Sequence, residues 1–389
     1  MTSLPQFPAA SPAGAIVDNP AAIRWPNTPD GDYACRYLTP LLEQSTAHYI
    51  ANIHTRLQVV QLDDLTIPIT IPPPTPSSTL QSYVVSPYNH YFTYTLEELD
   101  KLQNPTLEVA IRAAFAPLRW LYRVGEFDKA VMVNNWLLST NLWPQITPDQ
   151  VRRLVMLLAE RYPTLPIVFR SVDRYANPIL YDTLESLGAM GVFSRKIYYQ
   201  PLERVQATKD YKNDRALYRK TPYTLLTGEQ LTHADLPRLL ELYNLLYIDK
   251  YSRLNPQFTL DFLRLALDHH LLELRAFARD GRIDAVMGYF TRRGIMTQPL
   301  FGYDTRLPQN LGLYRLLSMQ VFIESEAQGL LVNSSSGVGK FKRLRGGVGV
   351  HEVNMVYLQH LSHPSRWLWG LLQQITQRVA VPMIDKNEF

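Results

Sequence analysis

Between residues 334 and 347 the chain reads SSSGVGKFKRLRGG, four cations and four glycines within fourteen residues. Glycines beside cations suit an anion, because glycine lets backbone N–H groups approach a phosphate closely. A nucleotide loop, however, needs Gly, four residues, Gly, Lys and then Ser or Thr. Counting back from Gly339-Lys340, the first glycine falls on Ser334, and the hydroxyl position is Phe341. Both positions fail the test. Lys340, Lys342, Arg343 and Arg345 therefore read either as a solvated loop or as a grip on a carrier's phosphate or an acidic acceptor.

Other residues with chemistry are scattered. Tyr303 and Asp304 close a strand-like run and are candidates for acid or base; the alternative is a core ring and a loop cap. Glu273 and Asp284 read as solvated carboxylates. His351 opens the strand after the basic loop and is retained as a catalytic candidate. His269 and His270 end a helix, where a cation is favourable. His360 and His363 lack a third ligand, so no metal is expected. Ser334, Ser335 and Ser336 lie in no Gly-x-Ser-x-Gly elbow, and Cys35, the one cysteine, excludes a disulfide within the chain.

Composition bounds what these residues can serve. Of 389 residues, 46% are hydrophobic and 19% charged, which describes a globular chain long enough for two domains. A net charge of +4 is too small to announce DNA, tRNA or a membrane. The start MTSLPQFPAASPAGAIVDNP has no cationic region and is broken by prolines, and no run approaches a bilayer span. The expectation is a cytoplasmic protein.

Residues 1–45 read as an extended Pro-rich arm, 46–205 as one α/β domain and 206–389 as a second. The aromatic run 83–94 is either core or a binding surface. Periodicity and caps give a helix over 106–121, a strand over 128–134, a helix over 148–161, a strand over 166–171, a helix over 177–188 and a strand over 192–200. Further on come a strand over 223–227, helices over 232–248 and 258–269, and strands over 271–278 and 283–291 around Asp280-Gly281. A strand over 295–304, a helix over 311–328 and strands over 330–334 and 351–358 follow. The order strand, helix, strand, helix, strand thus occurs over 128–200 and again over 295–358, which implies two similar domains, each with its own mixed, mostly antiparallel sheet flanked by helices.

In the second copy, Gln309-Asn310-Leu311-Gly312-Leu313-Tyr314 stands after a strand and at the mouth of a helix. Free N–H groups and the positive dipole end meet there, which suits a pyrophosphate. This order resembles the GNAT acyltransferases, whose pattern at that place is Q/R-x-x-G-x-G/A. Gln309 and Gly312 match, and Tyr314 replaces the last small residue. The first copy carries Asn177-Pro178-Ile179-Leu180-Tyr181 and Gly188, similar to a later GNAT pattern, but no glycine between 134 and 147. Two GNAT-like domains with one degenerate resemble the Fem-type and cellulose-biosynthesis-like transferases, and Phe341-Lys342 with Gly346 loosely fits an aromatic-Lys-Gly pattern of that group.

The resemblance implies an N-acyltransferase with an acyl-CoA or phosphopantetheine-bound donor on residues 309–314 and Lys340, and no metal. The acceptor would be the amine of a small molecule, and an acyl carrier protein a partner that delivers the donor. Simple GNAT enzymes place a tyrosine where this chain has Lys342, so Lys342 is the candidate for the leaving group. Two alternatives stay open: an aminoacyl-tRNA-dependent transferase, against which the modest charge counts, and a binding protein on the same scaffold.

Overall fold

The computed structural model describes residues 14–73, 80–98 and 105–387. The first half runs β1 (Gly14–Val17), α1 (Pro29–Glu43), β2 (Arg56–Leu62), β3 (Leu65–Ile71), α2 (Pro105–Val124), β4 (Val131–Val133), α3 (Pro148–Arg161), β5 (Ile167–Val172), α4 (Pro178–Ser186) and β6 (Met190–Gln200). The second half runs α5 (Lys209–Lys220), β7 (Thr224–Thr227), α6 (Leu236–Tyr243), α7 (Leu260–Asp268), β8 (Glu273–Arg279), β9 (Arg282–Arg292), β10 (Ile295–Tyr303), α8 (Leu313–Gln328), β11 (Leu331–Asn333), α9 (Gly339–Leu344), β12 (Val348–Tyr357) and α10 (His363–Ile375).

Local chemistry explains several of these starts. Thr147 and Gln150 form a reciprocal capping box at α3, with Pro148 in the first turn. Inside the stretch expected to be an extended arm, Thr28 accepts from Gly31 N, Pro29 opens the helix and Asp30 and Asp32 line its first turn, so α1 forms and buries Tyr37, Leu38 and Leu41. Of the arm expected over residues 1–45, residues 1–13 lie outside the described residues. Helix α5, which the hydrophobic pattern did not reveal, is capped by Thr208 and is highly charged, burying only Tyr211 and Asp214.

The repeat is visible in the hydrogen bonding. In the first half β4 and β5 are parallel, with α3 as the crossover. In the second, β10 and β11 are parallel, with α8 as the crossover. The expectation of two separate sheets gives way to one 12-stranded sheet in the order β1-β2-β3-β4-β5-β12-β6-β11-β10-β9-β8-β7. The reason is reciprocal pairing: the last strand of each half crosses over. β12 adds to β5 of the first half, β6 adds to β11 of the second, and β6 and β12 pair antiparallel with each other. Fusion at that seam removes an exposed edge from both halves.

This exchange turns the strand ends toward each other. β5 and β11 point in opposite directions, and their C-terminal ends meet near the middle of the sheet. Thr140 of the first half hydrogen-bonds Ser335 of the second there, 3.0 Å between hydroxyl oxygens. Both ends carry a serine in the left-handed region, Ser171 at φ 55° and Ser335 at φ 57°. Non-glycine residues are uncommon there, and such strain concentrates where function holds it in place.

Candidate active site at the junction of the two halves

The second half opens between β10 and β11. These strands pair only from Ile295–Leu331 to Thr297–Asn333, and β10 then bulges against β9 between Thr297 and Leu300. A bulge bends its strand, and β10 continues to Tyr303 with no strand beside it on the β11 side among the described residues. The Nε2 of Gln298, inside the bulge, is buried and has no hydrogen-bond partner. An orphaned buried donor is rare enough to point to a missing acceptor.

At the other end of this opening stands the N-terminus of α8. Residues Gln309–Leu311 form one 3-10 turn, and Gly312 takes φ 67° before the helix begins at Leu313. No side chain caps the helix, so the amides of Leu313, Tyr314 and Arg315 lack a side-chain acceptor at the positive dipole end. A Cβ on residue 312 would stand 2.7 Å from Leu217 Cδ2, so the glycine meets a backbone need and a packing need together. Gln309 and Asn310 are exposed. The Tyr314 ring packs against Phe301 at 5.5 Å, Tyr303 at 6.1 Å and Phe341 at 4.8 Å, building an aromatic wall beside the helix mouth.

The basic stretch separates into distinct roles. Residues 339–344 are helical, where a loop was expected, so its cations point in different directions. Lys340 is exposed, one residue from the Phe341 ring that touches Tyr314. Arg343 donates to the Tyr198 hydroxyl. Arg345 is buried, its guanidinium 3.4 Å from the Phe341 ring centre and bonded through Nε to Asp214 at 2.6 Å, a carboxylate that also holds Arg315 at 2.6 Å. Gly346, at φ 78°, passes so close to Arg204 that a Cβ would sit 2.7 Å from its carbonyl.

Lys342 is buried, and its Nζ donates to the carbonyls of Ser334 at 2.6 Å, Ser335 at 3.2 Å and Ser336 at 2.8 Å. Burial, followed by the Arg195 charge, lowers its pKa to about 7. All three ammonium hydrogens are committed to the loop that leaves β11. Lys342 therefore shapes that loop, and none of its hydrogens is left for a leaving thiolate.

Two other sequence candidates lie elsewhere. Asp304 is 1% exposed and accepts from Arg238 at 2.8 Å, from Arg306 Nε at 2.8 Å and from Arg282. These partners, Arg306 foremost, hold its carboxyl well below the usual range. A base at neutral pH needs a pKa near that pH, so Asp304 is a structural anion. His351 is exposed on β12, 3.1 Å from Asp385 and edge-on to Phe193, and lines neither cavity described below. Asp284, expected in solvent, is buried between the Tyr223 hydroxyl and Arg238. Glu273 is exposed as expected, and no group of three metal-ligating side chains occurs among the described residues.

The polar groups that do converge are ones the sequence reading passed over. A small cavity of about 10 Å³, room for about one water, is walled by Ser171, Asp173, Asn177, Tyr199, Asn333 and Glu352, with Ile295 also lining it. Asn333 and Ile295 also belong to the last paired stretch of β10 and β11, so this cavity adjoins the apex of their opening. Asp173, 2% exposed, accepts from Ala176 N at 2.7 Å and the Tyr199 hydroxyl at 2.9 Å. It has no cationic partner among the described residues, and burial raises its pKa. Glu352 is held in a two-point pair by Arg195, at 2.8 and 3.3 Å. A second small cavity, also about 10 Å³, shares Ser171 and Glu352 and is walled by His90, Arg170, Ser194, Arg195 and Asn354. Tyr83 and His90 of the aromatic run 83–94 thus face a cavity.

The legible signal was a charge inside an apolar strand. Arg170 interrupts IVFRSV, all of whose residues are buried, and Glu352 interrupts VHEVNMVY. Charged side chains are almost never buried without a reason.

Strand order, paired parallel crossovers and the uncapped α8 mouth after a bulged strand decide the architecture. The chain has a tandem GNAT-like fold. No family model matches the sequence, and no curated protein matches it. Among solved structures it is similar to FemX, at 10% identity over 85% of this chain and 94% of that one, with a TM-score of 0.45. A tandem GNAT protein from the clavulanic acid biosynthesis pathway aligns at 9% identity over 90% of this chain and 99% of that one, TM-score 0.40. L-PGS from Bacillus licheniformis aligns at 16% identity over 58% and 78%, TM-score 0.42. No described helix of this GNAT-like chain is long and apolar enough to cross a membrane.

Proposed function

We propose that the chain transfers an acyl group from a thioester to an amine, with the donor on the second half (206–389) and the acceptor bound where the two halves meet. The observation that carries this reading is the opening of β10 from β11, which begins beside the cavity of Asp173 and ends at the uncapped mouth of α8. Residues 298–303 extend for about 17 Å at 3.3 Å per residue, so a donor with an anionic head and a long thin arm is the cargo that suits the opening. Acyl-CoA and an acyl group on a carrier protein's phosphopantetheine share that form. The amides of residues 313–315, with Lys340 alongside, would hold the phosphates; the free Nε2 of Gln298 would meet the acyl oxygen.

Asp173 supports the acceptor side. An alkylamine with pKa near 10 arrives as ammonium and must lose a proton before it attacks. A buried carboxylate without a cation of its own, its pKa raised by burial, both attracts the ammonium and takes its proton. The nitrogen lone pair then forms the C–N bond, the C–S bond breaks as the thiolate leaves, and the second proton shed by the nitrogen passes through water to the thiolate. An amino acid ester of tRNA in place of the thioester would use the same acceptor side.

The test is binding followed by turnover. CoA, a set of acyl-CoA thioesters, a loaded carrier protein and charged tRNA are each offered in a thermal-shift measurement, since a ligand of the native state raises its apparent stability. A shift with CoA or with the loaded carrier, weakened by Lys340→Glu, is the expected result. No shift with any thioester or its carrier would remove the proposal.

A further inference from the structure

Arg170 is 6% exposed and makes no ion pair among the described residues. Its Nη1 donates to Asn135 Oδ1 at 2.6 Å and to the Leu138 carbonyl at 3.4 Å. No acceptor among the described residues bonds its Nε or Nη2, neither of which is sealed from solvent, and the side chain lines the second cavity. Burial, followed by the like charge of Arg195, lowers its pKa to about 10, which still leaves it charged at neutral pH. The nearest carboxylate in the cavity wall, Glu352, is already committed to Arg195. His90, hydrogen-bonded to Ser194 at 3.1 Å, adds no charge, because burial and the two guanidiniums lower its pKa to about 3. A buried, unpaired guanidinium is costly, and natural chains hold one chiefly where a ligand completes it.

The neighbouring cavity carries the opposite imbalance. Asp173 is a buried carboxylate without a cation, three residues along the chain from Arg170, so their backbones lie within about 11 Å. The two cavities share Ser171 and Glu352 as walls. One unpaired cation and one unpaired anion, in adjoining cavities, form a charge pattern complementary to a molecule that carries an ammonium and an anionic group a short distance apart, and the walls of these small cavities must part to admit it.

We infer that the acceptor is an amino acid: its amine sits at Asp173 and its carboxylate at Arg170. The inference rests on the proposed function for the amine side and adds the anion side. A carboxylate fits better than a phosphate monoester, because one free guanidinium balances a single charge, whereas a phosphate brings about 1.5 to 2. The planar fork of Arg170 offers Nε and Nη2 in the geometry that matches two carboxylate oxygens.

The inference is tested on the full chain with matched probes in thermal-shift and calorimetric titrations. Glycine, β-alanine and 4-aminobutanoate are compared with ethylamine and propylamine, with acetate and propanoate, and with phosphoethanolamine and inorganic phosphate. At least one amino acid should bind more tightly than the corresponding amine and carboxylate. Arg170→Gln should weaken that binding roughly 10- to 100-fold, the worth of charge-assisted hydrogen bonds, while leaving the weaker amine binding unchanged. Arg170→Lys should retain part of the affinity, and serves if the glutamine variant does not fold. Amines that bind as well as amino acids, or phosphoethanolamine that binds best, would overturn the carboxylate assignment while leaving the acyl transfer reading in place. Carboxylates that bind through Arg170 without any amine binding would keep the anion site and remove the acceptor reading. Absence of binding by every probe would overturn both.

Discussion

Lys342→Met offers a quantitative check on the loop that joins the two halves. The substitution keeps all but the last atom's length of the side chain and removes its charge and its three donors. The Ser335 carbonyl retains a second donor, Tyr198 N, and Ser336 is exposed to water, so the Ser334 carbonyl bears the loss. One orphaned, partly buried carbonyl costs about 1–3 kcal/mol. Against this stands relief from burying a lysine whose pKa is lowered to about 7. The two oppose each other at pH 7, and pH separates them. With the native value near 7 and the unfolded one near 10.4, the unfolded chain binds more protons between these values, so the wild type gains stability as pH rises through that window. From pH 7 to pH 9 the gain is about 2 kcal/mol. Lys342→Met lacks it, and other titrating groups cancel in the difference. Urea denaturation of both proteins at pH 7 and pH 9 measures the effect. A wild-type advantage that grows by about 2 kcal/mol is expected; parallel pH curves would refute the burial argument.

Three further outcomes follow from the same geometry. Asp214→Asn leaves the buried Arg345 and the partly exposed Arg315 without their shared carboxylate, and should cost about 3–5 kcal/mol in denaturant unfolding. Asp304→Asn should lower stability at neutral pH and leave turnover intact. The depressed carboxyl contributes stability above its unfolded pKa of about 4 that fades as pH falls, so the variant's acid unfolding limb should flatten. Gly312→Ala meets a left-handed backbone and the Leu217 side chain, and should cost roughly 1 kcal/mol in stability and raise the donor KM more than it lowers kcat.

Most of the helix and strand pattern was legible because it rests on local rules. Thr147-Pro148-Asp149 announces a helix, Asp280-Gly281 announces a hairpin, and the recurring order over 128–200 and 295–358 announces a repeat. The exchange of β6 and β12 was not legible, since reciprocal pairing depends on which edge each half leaves open. Helix α1 was obscured by the prolines around it, although Thr28-Pro29-Asp30 is itself a start signal. The uncapped helix mouth at 309–314 could be read because it is built by the backbone, which a short motif predicts. Asp173 and Arg170 could not be paired across two cavities from sequence, because their significance lies in the partners they lack. The cations of 340–345 misled for the converse reason: as a linear cluster they look alike, but the α9 helix sends Lys342 and Arg345 inward and leaves Lys340 outside.

The most direct test follows thiol release from a panel of acyl-CoA and carrier-bound thioesters in the presence and absence of glycine, β-alanine and 4-aminobutanoate, for the wild type and Asp173→Asn. Release that requires the amine is the predicted result, together with a fall in kcat of about 100-fold or more for Asp173→Asn at an unchanged donor KM. Thiol release indifferent to the amine, or an Asp173→Asn variant that turns over like the wild type, would contradict the account.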